Sequence, residues 1–173
     1  GTKEQLWGLH FLDDQTGFAC GAYGMILKTE DGGESWFSIP AGLNNLLYSI
    51  CFVDDKKGFA SGSNVLLRTD DGGDSWTAVK DFPFTPPADW IRRIKFVNTQ
   101  VGYACADIGR IYKTVDGGTK WTSLISGVQE PLMDLDFADE LTGVVVGFNG
   151  TILKTTDGGQ SWTQMPSPLG PEH

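Results

Sequence analysis

The sequence predicts an all-β fold, a β-propeller built from four four-stranded blades. Two landmarks in phase carry that prediction. The motif Thr-x-Asp-Gly-Gly-x-x-Trp occurs at Thr29–Trp36, Thr69–Trp76, Thr114–Trp121 and Thr155–Trp162, with its tryptophans 40, 45 and 41 residues apart. A phenylalanine six residues ahead of a glycine keeps step with it, at Phe11, Phe52, Phe96 and Phe137. Helical periodicity is absent, and short apolar runs between glycine-rich turns are a strand pattern.

A single domain over residues 1–173 is expected, with blades at about 5–43, 44–84, 88–128 and 129–168. The first strand of each blade is Leu6–Leu12, Leu47–Val53, Ile91–Val97 and Leu132–Ala138 in turn. The second runs Gly17–Gly21, Gly58–Gly62, Gly102–Ala106 and Gly143–Gly147. A tight turn follows, marked by Asn149-Gly150 in the last copy, and leads into Met25–Thr29, Val65–Thr69, Ile111–Thr114 and Thr151–Thr155. The segment carrying the tryptophan supplies the fourth strand.

The repeated motif reads as a folding device. An Asp carboxylate can accept backbone N–H groups just beyond it, and glycines take the positive φ of a tight turn. The tryptophan buries a large ring against its own hairpin while its N–H finds an acceptor. On this basis Asp31, Trp36, Asp71, Trp76, Asp116, Trp121, Asp157 and Trp162 are expected to be structural. An active site is singular, whereas these residues recur once per blade. Lys28, Arg68, Lys113 and Lys154 precede the Thr in each copy. Their expected place is a stem over apolar surface with the charge in water.

The motif resembles the Asp-box, or bacterial neuraminidase repeat, Ser/Thr-x-Asp-x-Gly-x-Ser/Thr-Trp. Three copies match in full, and the third has Lys120 in place of Ser or Thr. The longer unit, Phe-x-Asp-x-x-x-Gly-x-Ala-x-Gly-x-x-Gly-x-Ile-Leu-x-Thr-x-Asp-Gly-Gly-x-x-Trp, is similar to the repeats of photosystem II stability/assembly factor-like proteins. That resemblance implies a propeller fold, a non-catalytic assembly or recognition role and an extracytoplasmic location (periplasmic, lumenal or secreted). No signal-peptide pattern is visible in the sequence as it stands, which does not bear on that location. A carbohydrate-binding or glycoside hydrolase-associated Asp-box propeller is the alternative.

Composition narrows the partners. The formal net charge is −9, and the only adjacent basic pairs are Lys56-Lys57 and Arg92-Arg93. An acidic chain repels nucleic acid, and no apolar run is long enough to insert in a membrane as a helix. A protein partner or a glycan remains. Two histidines and three cysteines without a Cys-x-x-Cys give no zinc pattern, so neither metal nor cofactor is expected. Cys20 and Cys105 share one repeat position and read as small core residues. Sialidase chemistry needs an arginine triad, and the four arginines here, Arg68, Arg92, Arg93 and Arg110, are not so arranged. An enzyme is therefore not expected, although paired carboxylates for glycoside hydrolysis are not recognisable from sequence.

Candidate binding residues lie where the copies disagree. Counting back from the repeated phenylalanine, one position back holds His10, Cys51, Lys95 and Asp136, and three back holds Gly8, Ser49, Arg93 and Asp134. Alternation puts these sets on one strand face, expected to line a polar channel with Arg93 and Lys95 beside Asp134 and Asp136. Either a cross-blade ion-pair set or a ligand site would use them. Four back holds Trp7, Tyr48, Arg92 and Met133. The insertion Asp81–Trp90 ends in Trp90, and reads as a plug over the blade junction or as a contact loop. The binding set is thus Trp7, His10, Tyr48, Trp90, Arg92, Arg93, Lys95, Asp134 and Asp136, acting through the channel mouth and inter-blade loops. Closure stays open at this point: four blades alone, part of a longer propeller, or half of a ring completed by self-association.

Overall fold

A computed structural model describes residues 3–84 and 89–167. Among these residues it holds sixteen strands in four antiparallel four-stranded sheets. The first sheet takes β1 (Leu6–Phe11), β2 (Gly17–Gly21), β3 (Met25–Thr29) and β4 (Phe37–Pro40) in chain order. The second takes β5 (Leu47–Phe52), β6 (Gly58–Gly62), β7 (Val65–Thr69) and β8 (Thr77–Ala78). The third is β9 (Ile91–Phe96), β10 (Gly102–Ala106), β11 (Arg110–Thr114) and β12 (Thr122–Ile125). The fourth is β13 (Leu132–Phe137), β14 (Gly143–Gly147), β15 (Ile152–Thr155) and β16 (Thr163–Gln164). These meanders are propeller blades, as the repeat predicts. The chain forms two compact units, residues 1–94 and 95–173, and the boundary falls within β9.

Each Asp-box closes one β3–β4 type hairpin in the same way. In the first, Asp31 Oδ1 accepts the Thr29 hydroxyl at 2.7 Å and the Ser35 N–H at 2.9 Å, while Oδ2 accepts the Ser35 hydroxyl at 2.5 Å. Trp36 Nε1 donates to the Gly33 carbonyl at 3.1 Å. These donors hold the Asp31, Asp71 and Asp157 carboxyls down at about 2, the serine hydroxyl contributing most. Asp116 also lies below its ordinary value, chiefly through the Lys120 N–H, and lacks the hydroxyl that a serine would offer.

In the first unit, Phe18, Cys20 and Ile26 of the first blade share a core with Leu47, Ile50, Phe52, Ala60, Leu67 and Trp76 of the second. Phe18 stacks on Phe52 at 4.5 Å between centroids, and Phe52 meets Trp76 edge-on. The second unit repeats the arrangement. Tyr103, Cys105 and Ile111 pack on Leu132, Leu135, Phe137, Val145 and Leu153, with Tyr103 stacked on Phe137 at 3.7 Å. Within these junctions, the face bearing Phe18 or Tyr103 meets the face bearing Ile50 or Leu135 on the next blade. The inner strands approach closely, and a Cβ on Gly8 would lie 2.6 Å from Cys20 Sγ and 3.0 Å from the Ile50 nitrogen.

Lys28 and Lys113 depart from the place expected of the repeated basic residue, while Lys154 is exposed. Lys28 is buried, and its ammonium donates to Asp74 on the next blade's hairpin at 2.8 Å, beside Glu30 at 3.1 Å. Burial opposes its charge, yet those carboxylates hold its pKa above the ordinary value. Lys113 likewise reaches the Gly158 carbonyl at 2.7 Å. A blade junction needs a donor at its rim, so the stem runs across the junction instead of out to water. Cys20, Cys51 and Cys105 are buried free thiols, and burial pushes Cys20 and Cys51 up to about 12, which leaves them inert as nucleophiles.

Candidate recognition site

The varied residues at the start of the inner strands are presented by a local irregularity. In β1, Leu6 pairs with Gly21 and Gly8 with Cys20, so Trp7 is an extra residue in the ladder. The same slip occurs between Leu47 and Ser49, at Tyr48, and between Leu132 and Asp134, at Met133. A β-bulge leaves one residue unpaired and re-aims its side chain. Trp7 and Met133 are accordingly exposed, and Tyr48 is half-buried.

In the first unit these side chains form a ladder. The Trp7 and Tyr48 rings lie 5.5 Å apart, tilted by 55°. The Arg92 guanidinium carbon stands 4.7 Å from the Tyr48 centroid and 4.9 Å from that of Trp90. Trp90 is exposed and is anchored by a bridge to Ser63 in the neighbouring turn. Two aromatic rings within reach of one guanidinium hold it by cation–π attraction. The result is a flat amphipathic strip with a held cation, suited to a peptide segment or another planar acceptor-bearing ligand.

The remaining candidates fall elsewhere. His10 is half-buried and stacks on Phe52 at 5.7 Å, and burial, then the Arg93 charge, lowers its pKa. Ser49 and Cys51, expected on the same channel-lining face, are buried. Ser49 Oγ accepts the Ile94 N–H at 3.2 Å, because the close approach of the inner strands covers that face. Arg93 is exposed. In the second unit Lys95 pairs with Asp136, whose Oδ1 also accepts the Phe137 N–H, and Asp134 Oδ1 accepts the Leu135 N–H. In the insertion, Phe82 is buried and packs on Phe84 at 4.6 Å, while residues 85–88 lie outside the described residues. Among the described residues no group of three or more His, Cys, Asp or Glu is placed to hold a metal ion, and no helix is long and apolar enough to cross a membrane. Sequence reasoning picked out Trp7, Tyr48, Arg92 and Trp90 singly. It missed the bulges at Trp7 and Tyr48, because an extra ladder residue leaves no mark in composition.

Known proteins share this fold. A family model described as photosynthesis system II assembly factor YCF48 matches residues 1–131. The photosystem II assembly lipoprotein Ycf48 of Prochlorococcus marinus is 35% identical over 140 residues, covering 79% of this chain and 41% of the relative. Its namesake from Nostoc sp. is 30% identical over 142 residues, covering 78% and 40%. The chain thus spans about two fifths of these relatives' length. Among solved structures, YCF48 bound to D1 peptide matches with a TM-score of 0.76 at 25% identity, covering 94% of this chain and 55% of that one. A GH74 enzyme of Niastella koreensis has a TM-score of 0.74 at 18% identity, covering 91% and 29%, a likeness of fold alone. With three quarters of its length matched by the family model, the chain belongs to the photosynthesis system II assembly factor YCF48 family.

Proposed function

We propose that this chain is a non-catalytic recognition and assembly module that binds a protein segment along the strip Trp7–Tyr48–Arg92–Trp90. The single observation that carries the reading is the Arg92 guanidinium held against the Tyr48 and Trp90 rings, with Trp7 packed on Tyr48 beside them. Such a preorganised cation takes a carboxylate or a row of peptide carbonyls at small entropic cost, and the flanking rings take apolar side chains. A relative bound to D1 peptide supports a peptide as the ligand class. The relatives named as assembly lipoproteins support an extracytoplasmic place of work.

Titration with a D1 peptide, followed by Trp fluorescence and calorimetry, tests the proposal. Binding is expected to weaken at least tenfold in Arg92→Ala and in Trp90→Ala, with unfolding midpoints little changed. Equal affinity in wild type and both variants would remove the strip from the reading. The alternative, a glycan ligand, is favoured by the same exposed rings, which suit sugar faces, and by the fold shared with a GH74 enzyme. A glycan array carrying wild type and Trp90→Ala separates the two.

A further inference from the structure

The two rings that hold Arg92 come from different strands, and one short turn is bonded to the segments that lead into both. That turn is Ser63-Asn64, between β6 and β7. On one side the Ser63 N–H donates to the Leu46 carbonyl at 2.9 Å, and Ser63 Oγ accepts the Leu46 N–H at 3.1 Å. Asn45 Nδ2 adds a bond to the Ser63 carbonyl at 2.7 Å. Leu46 lies two residues ahead of Tyr48. On the other side the Asn64 N–H donates to the Asp89 carbonyl at 2.9 Å, and Asn64 Oδ1 accepts the Asp89 N–H at 2.7 Å. Asp89 immediately precedes Trp90, and Ser63 bridges Trp90 itself.

The turn differs from its counterparts. These are Ala22-Tyr23-Gly24, Asp107-Ile108-Gly109 and Phe148-Asn149-Gly150, each one residue longer and closed by a glycine. In the first and third blades that glycine N–H bonds the segment leading into the next blade, Gly24 to the Asn45 carbonyl and Gly109 to the Glu130 carbonyl. In the second blade Asn64 does this with its own N–H and adds a side-chain acceptor that a glycine lacks. Asn64 is exposed and holds a φ of 53°, whereas Asp89 is fully buried. A buried N–H needs an acceptor, and Asn64 Oδ1 is the one the Asp89 N–H has. Both peptide units flanking Asp89 are thereby pinned, and the second of them carries the Trp90 Cα.

We infer that Asn64 is a positioning residue for the recognition strip, placing Trp90 so that its ring and that of Tyr48 hold the same guanidinium. The role rests on the peptide-binding reading of that strip. Asn64 acts through Asp89 and Trp90. Without its side-chain acceptor the Asp89 N–H must turn to water, and the residue that follows turns with it.

NMR on the full chain, with Asn64→Gly and Asn64→Asp, tests this before any peptide is added. Glycine takes the same positive φ freely, so Asn64→Gly removes the acceptor and leaves the turn. Asn64→Asp keeps an acceptor in the same place, with its charge in water. The Trp90 indole and Arg92 Nε–H resonances, identified by their loss in Trp90→Phe and Arg92→Lys, report the cation–π contact. Both are expected to move in Asn64→Gly and to return close to their wild-type positions in Asn64→Asp, with unfolding midpoints little changed. A D1 peptide should bind about fivefold more weakly to Asn64→Gly, and within about twofold of wild type to Asn64→Asp. Resonances unmoved in Asn64→Gly, or moved equally in both variants, overturn the inference. Wild-type affinity in Asn64→Gly where Arg92→Ala binds weakly overturns it too, and leaves the strip reading standing. Wild-type affinity in Arg92→Ala strikes the strip reading itself, and the role of Asn64 in binding falls with it.

Discussion

Lys28 Nζ lies 2.8 Å from Asp74 Oδ1, so the third strand of the first blade is tied to the Asp-box hairpin of the second. Asp74 is largely exposed, which limits the pair to about 0.5–1 kcal/mol. A double-mutant cycle of Lys28→Met and Asp74→Ala in urea unfolding should return a coupling of that size. A coupling indistinguishable from zero would reduce the lysine to a packing stem over Phe18.

The Asp-box carboxyls give the fold a defined acid limit. Asp31, Asp71 and Asp157 sit at about 2, below their ordinary 3.8. A depressed folded-state value contributes stability above the unfolded value and loses it as the pH falls through the folded one. The loss should therefore run from about pH 4 down to about pH 2. Carboxyl titration by NMR in Ser35→Ala should show the Asp31 midpoint moving up, because the largest lowering cause is gone. Lys120→Ser should move Asp116 the other way.

Ile108 holds a φ of 58°, at the turn position that Asn64 and Asn149 occupy in the second and fourth blades. A β-branched residue is disfavoured there, and its side chain is exposed, so little packing offsets the strain. Ile108→Asn is expected to stabilise the protein by about 1 kcal/mol in denaturant unfolding. A destabilised variant would show that Ile108 makes a contact worth more than its strain.

Phe18 and Val144 occupy the same repeat position with opposite burial. Phe18→Ala removes a stacked ring from a closed junction and should cost about 3–5 kcal/mol. Val144→Ala should cost less than about 0.5–1 kcal/mol. Similar losses at both positions in thermal melts would mean that Val144 is packed as closely as Phe18.

The strands and hairpins were legible because their determinants are local. Asp-Gly-Gly forces its turn, and alternation in Gly-Phe-Ala-Cys places Phe18 and Ala19 on opposite faces wherever the strand lies. Long-range consequences were harder to read. Ser49 and Cys51 look like channel-lining residues in a regular strand, yet both are buried, and Ser49 Oγ accepts the Ile94 N–H of β9. Lys28 and Lys154 share one sequence context, and only the presence of a neighbouring blade separates a buried donor from an exposed one. Leu9 carries the same apolar signature as Ile50. Exposure there belongs to what lies beside the blade, which no residue encodes. The strip at Trp7, Tyr48, Arg92 and Trp90 was legible as four names, and its continuity lies in contacts between blades that no single repeat encodes.

Those bulges have a consequence for how such a protein diversifies. At Trp7, Tyr48 and Met133 the side chain answers neither to the ladder nor to the core. Substitutions there are expected to disturb folding less than substitutions at the neighbouring Leu47 and Leu132, which are fully buried. The rim thereby behaves as a row of interchangeable type in a rigid frame, one character per blade. A display library randomised at these three sites should keep its yield of folded members while changing what they recognise.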